Sequence, residues 1–212
     1  MYAKCFKRII DFILSLCAVV VLSPLLIVLT IIGAICMKVN PFFVQKRPGK
    51  NEQIISLLKF RTMTNEKDKE GKLLPDDVRL VPYGKFLRST SLDELPSLIN
   101  IFIGDLSIIG PRPLLIEYLP WYTETEKHRH DVRPGLTGWA QVNGRNTVDW
   151  DRRFQLDVEY VNNVSFVFDL KIFFLTIQKV LKRSDIAEDT RVVEGNFAEI
   201  RKAKSKTEEN NC

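Results

Sequence analysis

Twenty-six consecutive residues, Phe12 to Met37, carry no charge. As a helix rising about 1.5 Å per residue they reach roughly 39 Å, more than the ~30 Å hydrocarbon core of a bilayer, so the rest of the chain must be arranged around a membrane element. The run is too long for the apolar part of a signal peptide, and no small-residue cleavage site follows it. Ser23-Pro24 sits at its middle, where proline removes a backbone donor and bends a helix. Both flanks are basic, with Lys4, Lys7 and Arg8 before the run and Lys38, Lys46, Arg47 and Lys50 after it, so the positive-inside rule gives no orientation. A proline-kinked spanning helix and a re-entrant helix-break-helix with both ends cytoplasmic both fit; the second accounts for the proline and the charges together and is the expectation taken forward.

At 212 residues the chain can bury one core plus an appended element. With 45% apolar and 27% charged residues it is neither disordered nor polytopic. A formal charge of +5 suits an anionic membrane surface, phosphorylated substrates or nucleic acid. Cys5, Cys17, Cys36 and Cys212 form no CxxC pair, which excludes a zinc ribbon or disulfide framework and leaves small buried hydrophobes plus a tail thiol. The expected division is a membrane element over 1–38, a compact domain over 39–184 and a polar, mobile tail over 185–212.

Phe42–Gln45 and Gln53–Thr62 flank Pro48-Gly49-Lys50-Asn51 and read as a hairpin. Charge-rich Asn65–Asp77 reads as a loop, and Leu92–Ile103 and Leu114–His130 read as helices, the latter interrupted at Pro120. Trp150, Phe154, Val158 and Val161 mark an amphipathic helix within Asp149–Asn162. Phe166–Lys182 is strongly apolar but too polar and short to span; core burial is the default and the bilayer interface the alternative. The class is mixed α/β, mainly helical, with too few strands for a doubly wound sheet.

Ser91-Leu92-Asp93-Glu94-Leu95-Pro96 allows two readings. Ser91 with Glu94 fits a capping box, and Asp93 could be the N-cap with Pro96 in the first turn. Either places both carboxylates at a helix N-terminus, where the dipole keeps them ionised, and an ionised aspartate can act as a nucleophile without a base. A carboxylate attacking phosphorus needs converging cations. Lys59, Arg61, Arg88, Arg112 (in Pro-Arg-Pro), Arg133 and Arg145 are candidates, although each taken singly reads as a solvated surface charge. The Gly-rich loop Pro134–Gly144 suits backbone approach to phosphate but matches neither the dinucleotide fingerprint nor the Walker pattern. His128 and His130, two apart, do not face one point, and no nucleic-acid-binding motif is present, so no nucleic acid partner is expected.

The ordered set Lys7-Arg8-Ile9-Ile10-Asp11, Ser23-Pro24, Gln45–Gly49, Lys59–Met63, Ser91–Pro96, Gly110–Pro113 and Val132–Gly138 resembles the bacterial sugar transferases, the monotopic phosphoglycosyl transferases, over about Lys7 to Arg183. The compact length is similar to the small subgroup acting on N-acetylated amino sugars such as di-N-acetylbacillosamine. The resemblance implies a re-entrant membrane helix broken at Ser23-Pro24, further helices resting on the membrane, and a catalytic domain at the cytoplasmic face of the bacterial inner membrane. It implies a UDP-sugar donor, undecaprenyl phosphate as acceptor, Mg2+ bridging Asp93 and the diphosphate, and downstream glycosyltransferases as partners. By the same resemblance Asp93 attacks phosphorus, releases UMP and carries the phosphosugar, and Glu94 assists the acceptor or orients the site. Lys59, Arg88, Arg112 and Arg145 fall near the phosphates, with Asp157 organising one of these cations. A non-catalytic, lipid-binding interaction protein and a phosphohydrolase working through an aspartyl-phosphate are the competing classes.

Overall fold

The structure, a computed structural model, describes residues 2–144, 148–182 and 197–209. After a π-helical turn at Tyr2–Phe6, helix α1 spans Lys7–Met37 and ends where Lys38 turns left-handed (φ 54°) and donates to the Ala34 carbonyl at 3.1 Å. The expected break at Ser23-Pro24 is not a gap in the helix. Pro24 has no N–H for the Val20 carbonyl four residues earlier, and the Ser23 hydroxyl donates to that same oxygen at 2.8 Å, so the helix continues through the proline. Cys5, Cys17 and Cys36 are exposed rather than buried, because most of α1 presents apolar side chains outward.

The hairpin forms as expected: β1 (Phe42–Pro48) pairs antiparallel with β2 (Ile54–Phe60), in register from Phe42 opposite Phe60 to Pro48 opposite Ile54. Short helices α2 (Asp76–Arg79) and α3 (Pro82–Ser89) lead to a 3-10 turn at Leu92–Glu94 and to α4 (Ser97–Ile103). The strand β3 (Ser107–Ile109) follows. The expected helix over Leu114–His130 is instead three short pieces: a 3-10 segment at Ile116–Trp121, α5 (Glu124–Lys127) and a 3-10 turn at His128–His130. Pro120 and the Thr123 cap explain the interruptions. β4 (Gly135–Thr137) pairs parallel with β3, and α6 (Trp139–Val142), α7 (Trp150–Asn162), α8 (Phe166–Lys182) and α9 (Phe197–Glu209) complete the described chain.

Part of the expected mobile tail is therefore structured. Phe197 opens α9 and is 1% exposed in an aromatic cluster with Tyr118, Tyr122 and Phe154, a burial that holds the helix against the domain.

The α1 helix is fastened to the domain along its length. Near its start Arg8 donates to the Ile101 and Phe102 carbonyls at 2.6 and 2.7 Å, completing the C-terminus of α4, and Asp11 accepts from Ser107 Oγ at 2.6 Å and Ile108 N at 3.1 Å. In its middle Ala18, Val19 and Leu22 pack on Leu57, Leu98, Ile101 and Leu106. Toward its end Tyr83 donates to the Leu29 carbonyl at 2.7 Å, and Leu29 is buried with Phe60 and Leu87.

The α8 helix corrects the core-burial default. Ile172 and Asp169 are buried, the latter accepting from Tyr2, Lys7 and Tyr160, while Phe166, Val167, Leu170, Phe173, Phe174 and Ile177 form an exposed apolar stripe. A helix with one satisfied polar anchor inward and aromatics outward suits an interface between water and lipid.

Candidate active site

The site is built where the β1–β2 hairpin, the 3-10 turn, the segment after β3, α6 and α7 converge around a cavity of about 760 Å³. Lys59 is fixed first. Ser97 and Asn100 of α4 bond the edge of β2: Ser97 Oγ donates to the Leu58 carbonyl at 2.8 Å, and the Asn100 amide accepts from Leu58 N at 2.9 Å and donates to the Ser56 carbonyl at 2.8 Å. Two polar side chains of a helix thus replace a third strand and lock the turn before α4 against Lys59.

That turn is not a capped helix start. Ser91 lies at φ 56°, ψ 18°, in the left-handed region, and its hydroxyl caps nothing. Glu94 Oε1 instead accepts from Lys59 Nζ and Arg112 Nη2, each at 2.8 Å. Burial alone would raise the Glu94 carboxyl, but Arg112 and then Lys59 outweigh it and hold it well below the usual carboxylate range. Asp93 beside it faces the cavity half-buried, and no hydrogen bond reaches its carboxylate from the described residues. Its carboxyl is raised, chiefly by burial and next by the Glu94 anion, against the pull of Lys59, Arg112 and Arg88. A helix dipole does not set this carboxyl: the turn is three residues of 3-10 geometry, and burial moves Asp93 upward rather than downward.

Arg88 lies on α3, where its Nε donates to Thr62 Oγ1 at 3.1 Å. The helix approaches so closely that a Cβ on Gly84 would overlap the Thr62 carbonyl. Arg112 is set by the β3–β4 ladder, which places Gly110 against Gly135, whose N–H donates to the Pro111 carbonyl at 3.0 Å. A Cβ on Gly135 would overlap the Gly110 backbone. Gly135 and Gly138 of the Pro134–Gly144 loop, both pressed on the Gly110 backbone, serve strand contact rather than an open phosphate cradle.

Asp157, 1% exposed on α7, also lines the cavity. Its Oδ2 accepts from Arg129 Nε at 3.1 Å and Nη2 at 2.7 Å, while its Oδ1 is buried with no partner among the described residues. Burial raises the Asp157 carboxyl against the attraction of Arg129. Arg129 Nη2 also donates to the Arg112 carbonyl at 2.7 Å, so Asp157 acts on the Pro-Arg-Pro segment through Arg129. The sequence carries no signal for Arg129, because only the tertiary fold shows it buried.

Lys59, Arg88, Asp93, Glu94, Arg112 and Asp157 thus meet in one cavity, and Arg145 lies outside the described residues. Arg61 reaches the cavity with its guanidinium bound to the Asn40 and Phe42 carbonyls, and Arg133 is elsewhere, donating to the Gly104 carbonyl at 2.7 Å. Arg47, a flanking charge and part of the Gln45–Gly49 motif in the sequence but given no site role there, shares the cavity-facing side of β1 with Phe43 and Gln45. That period-two spacing was the available signal. Burial and the nearby Arg112 lower its pKa, as expected of a cation waiting for an anion. The histidines stay outside: His128 contacts Asp131 at 2.9 Å, and His130 is buried against the Gly49 carbonyl.

This constellation of a carboxylate open to a cation-lined cavity meets a matching family. Residues 2–183 match the bacterial sugar transferase family. The chain belongs to that family. It is an enzyme, a phosphoglycosyl transferase. It is 48% identical to the uncharacterized sugar transferase EpsL of Bacillus subtilis (strain 168), over 90% of this chain and 95% of that protein. It is 39% identical to the UDP-glucose:undecaprenyl-phosphate glucose-1-phosphate transferase of Klebsiella pneumoniae over 82% of this chain, and 34% identical to the undecaprenyl-phosphate galactose phosphotransferase of Salmonella typhimurium over 84%. The chain spans 40% of the length of each of those two relatives.

Proposed function

We propose that this sugar transferase moves a sugar-1-phosphate from a UDP-sugar to undecaprenyl phosphate through a covalent Asp93 intermediate. The observation that carries it is the Asp93 carboxylate, open to a cavity shared with Lys59, Arg88 and Arg112, while its neighbour Glu94 is consumed by two of those cations. The Asp93 oxygen attacks the sugar-linked phosphorus; the bond from that phosphorus to the bridging oxygen breaks and UMP leaves with the electron pair. An oxygen of the polyprenyl phosphate then attacks the same phosphorus, the acyl-phosphate bond breaks, and Asp93 regains its carboxylate. Lys59, Arg88 and Arg112, with Arg145, offset the phosphate charge that would otherwise repel an anionic nucleophile. Asp93 is the better nucleophile of the pair, since its raised pKa makes the ionised form more basic. Glu94, pinned and strongly acidic, is a poor base and serves to orient Lys59 and Arg112.

Mg2+ fits this donor set. Among the described residues no cluster of three or more ligating side chains exists, but Mg2+ is commonly held by one or two carboxylates together with substrate phosphates and water, and Asp93 offers such an oxygen to the cavity. Bound there, it would neutralise phosphate charge.

Membrane seating follows from the same physics. Among the described residues one helix is long and apolar enough to cross a membrane, yet its beginning, middle and end all bind the same domain. This supports a re-entrant element embedded from the cytoplasmic face of the bacterial inner membrane, with the α8 stripe and Ile99 and Ile103 of α4 resting on the lipid. The donor in this reading is an N-acetylated amino sugar such as di-N-acetylbacillosamine, with downstream glycosyltransferases receiving the lipid-linked product. Screening UMP release across UDP-sugars, glucose and galactose included, with polyprenyl phosphate tests both points: release that depends on the acceptor for turnover supports the reaction, and phosphate release without a lipid product overturns it. Labelling Cys5 and an introduced Lys50→Cys from one side of sealed vesicles tests topology, and opposite accessibility would refute the re-entrant reading.

A further inference from the structure

Two side chains on the α6–α7 side of the cavity hold polar atoms with no hydrogen-bond partner among the described residues. Gln141 of α6 is 8% exposed and both its Oε1 and Nε2 lack a hydrogen-bond partner; Asp157 of α7 is 1% exposed and its Oδ1 lacks one. Both residues line the 760 Å³ cavity, and α6 packs on α7. Buried polar groups are normally satisfied, and three orphaned atoms in two neighbouring residues are an unusual concentration. The phosphate chemistry proposed above does not use them.

The pattern they offer is an NH2 group with two N–H donors and two oxygen acceptors. A sugar hydroxyl both gives and receives a hydrogen bond, so a carboxylate beside a primary amide complements adjacent ring hydroxyls. A uracil edge fits worse: its single N–H can serve only one acceptor, so either Asp157 Oδ1 or Gln141 Oε1 would stay without a proton. We propose that Gln141 and Asp157 bind ring hydroxyls of the nucleotide-sugar donor, Asp157 using Oδ1 while Arg129 holds Oδ2. The inference rests on the donor reading above and gives α6 and α7 a role in recognition, apart from the phosphate cluster. Two rings could supply the hydroxyls, the ribose and the transferred sugar, and the test separates them.

Gln141→Met keeps the side-chain length and removes both hydrogen-bonding atoms. Affinities for UDP, 2′-deoxy-UDP, UDP-glucose, UDP-galactose and UDP-N-acetylglucosamine are measured by calorimetry on the detergent-solubilised full chain, with the melting temperature as a folding control. A weakening of about 10- to 100-fold is expected. If ribose is the ligand, UDP weakens as much as the UDP-sugars, and the wild type binds 2′-deoxy-UDP correspondingly poorly. If the transferred sugar is the ligand, UDP binding is unchanged and the preference among the three UDP-sugars collapses. A folded variant that binds all five probes like the wild type overturns the proposal. Should Gln141→Met not fold, the wild type alone decides: indifference both to the 2′-hydroxyl and to the sugar overturns it, and discrimination at either ring supports it. Absence of UMP release from every UDP-sugar would sink the transfer reaction and leave these binding ratios to judge the recognition site separately.

Discussion

Ser91-Leu92-Asp93-Glu94 and Thr123-Glu124-Thr125-Glu126 share one local pattern, a hydroxyl residue followed three positions later by glutamate, and the fold uses them in opposite ways. At the second, Thr123 is extended (φ −67°, ψ 163°), its Oγ1 accepts from Glu126 N at 3.3 Å, and Glu126 Oε2 accepts from Thr123 N at 2.8 Å, which completes a capping box. At the first, Ser91 is left-handed, the box is open, and Glu94 faces Lys59 and Arg112 instead. The capping pattern describes only what local backbone can satisfy. Where tertiary structure brings two cations to the glutamate, charge-assisted bonds outcompete the cap, and the turn is held in a strained conformation that leaves Asp93 open.

The contrast can be broken most severely at the nucleophile. Asp93→Asn should reduce turnover by 10⁴-fold or more with little change in melting temperature, measured as UMP release; a loss below tenfold would return the first turn to a structural role. Next, Glu94→Gln should lower turnover about 10²- to 10³-fold by freeing Lys59 and Arg112, whereas Glu126→Gln should leave turnover intact and lower stability by about 1–2 kcal/mol, since it also loses the Arg201 pair at 2.6 Å. In the Glu94→Gln protein the acid limb of the residual rate should move to lower pH, because the anion that helps raise Asp93 is gone.

The structural side carries an acid sensitivity of its own. His130, three residues beyond α5, is pushed down to about 4, by burial and then by the Arg129 cation. A histidine depressed in the fold is protonated more readily when unfolded, so its contribution is complete above its ordinary value near 6.5 and is lost as pH falls from there toward about 4, by up to about 3 kcal/mol. Unfolding midpoints of wild type and His130→Phe across that interval check it; parallel curves would contradict it. The smallest effects distinguish the backbones directly: Thr123→Ala should destabilise by about 1 kcal/mol, while Ser91→Gly should be neutral or stabilising by up to about 1 kcal/mol, since glycine accepts a left-handed backbone without strain.

The same distinction explains what could be read in the chain. Periodicity and turn residues are local, so the hairpin, α7 and α8 were legible, and so was the apolar α1. Whether Ser23 would break or bridge the helix was not, because the answer lies in a hydroxyl reaching the carbonyl that Pro24 abandons. Asp93, Glu94, Lys59, Arg88 and Arg112 could be named in advance from chemistry and resemblance together. Arg129 and Gln141 could not, because a buried arginine and an orphaned amide look like any surface residue until α6 and α7 are packed. Phe197 was hidden in a charged segment for the same reason: one aromatic ring in a polar stretch has no periodic partner along the chain, and its partners are Tyr118, Tyr122 and Phe154.

Covalent capture at the open carboxylate is the most direct test. The protein is incubated with a turnover-competent UDP-sugar carrying a labelled sugar-linked phosphate, no lipid acceptor is added, and the labelled peptide is mapped by mass spectrometry. The account predicts one phosphosugar on Asp93, with equimolar UMP, discharged on adding polyprenyl phosphate. An adduct on another residue, or turnover to lipid product with Asp93 replaced by asparagine at the wild-type rate, would contradict it.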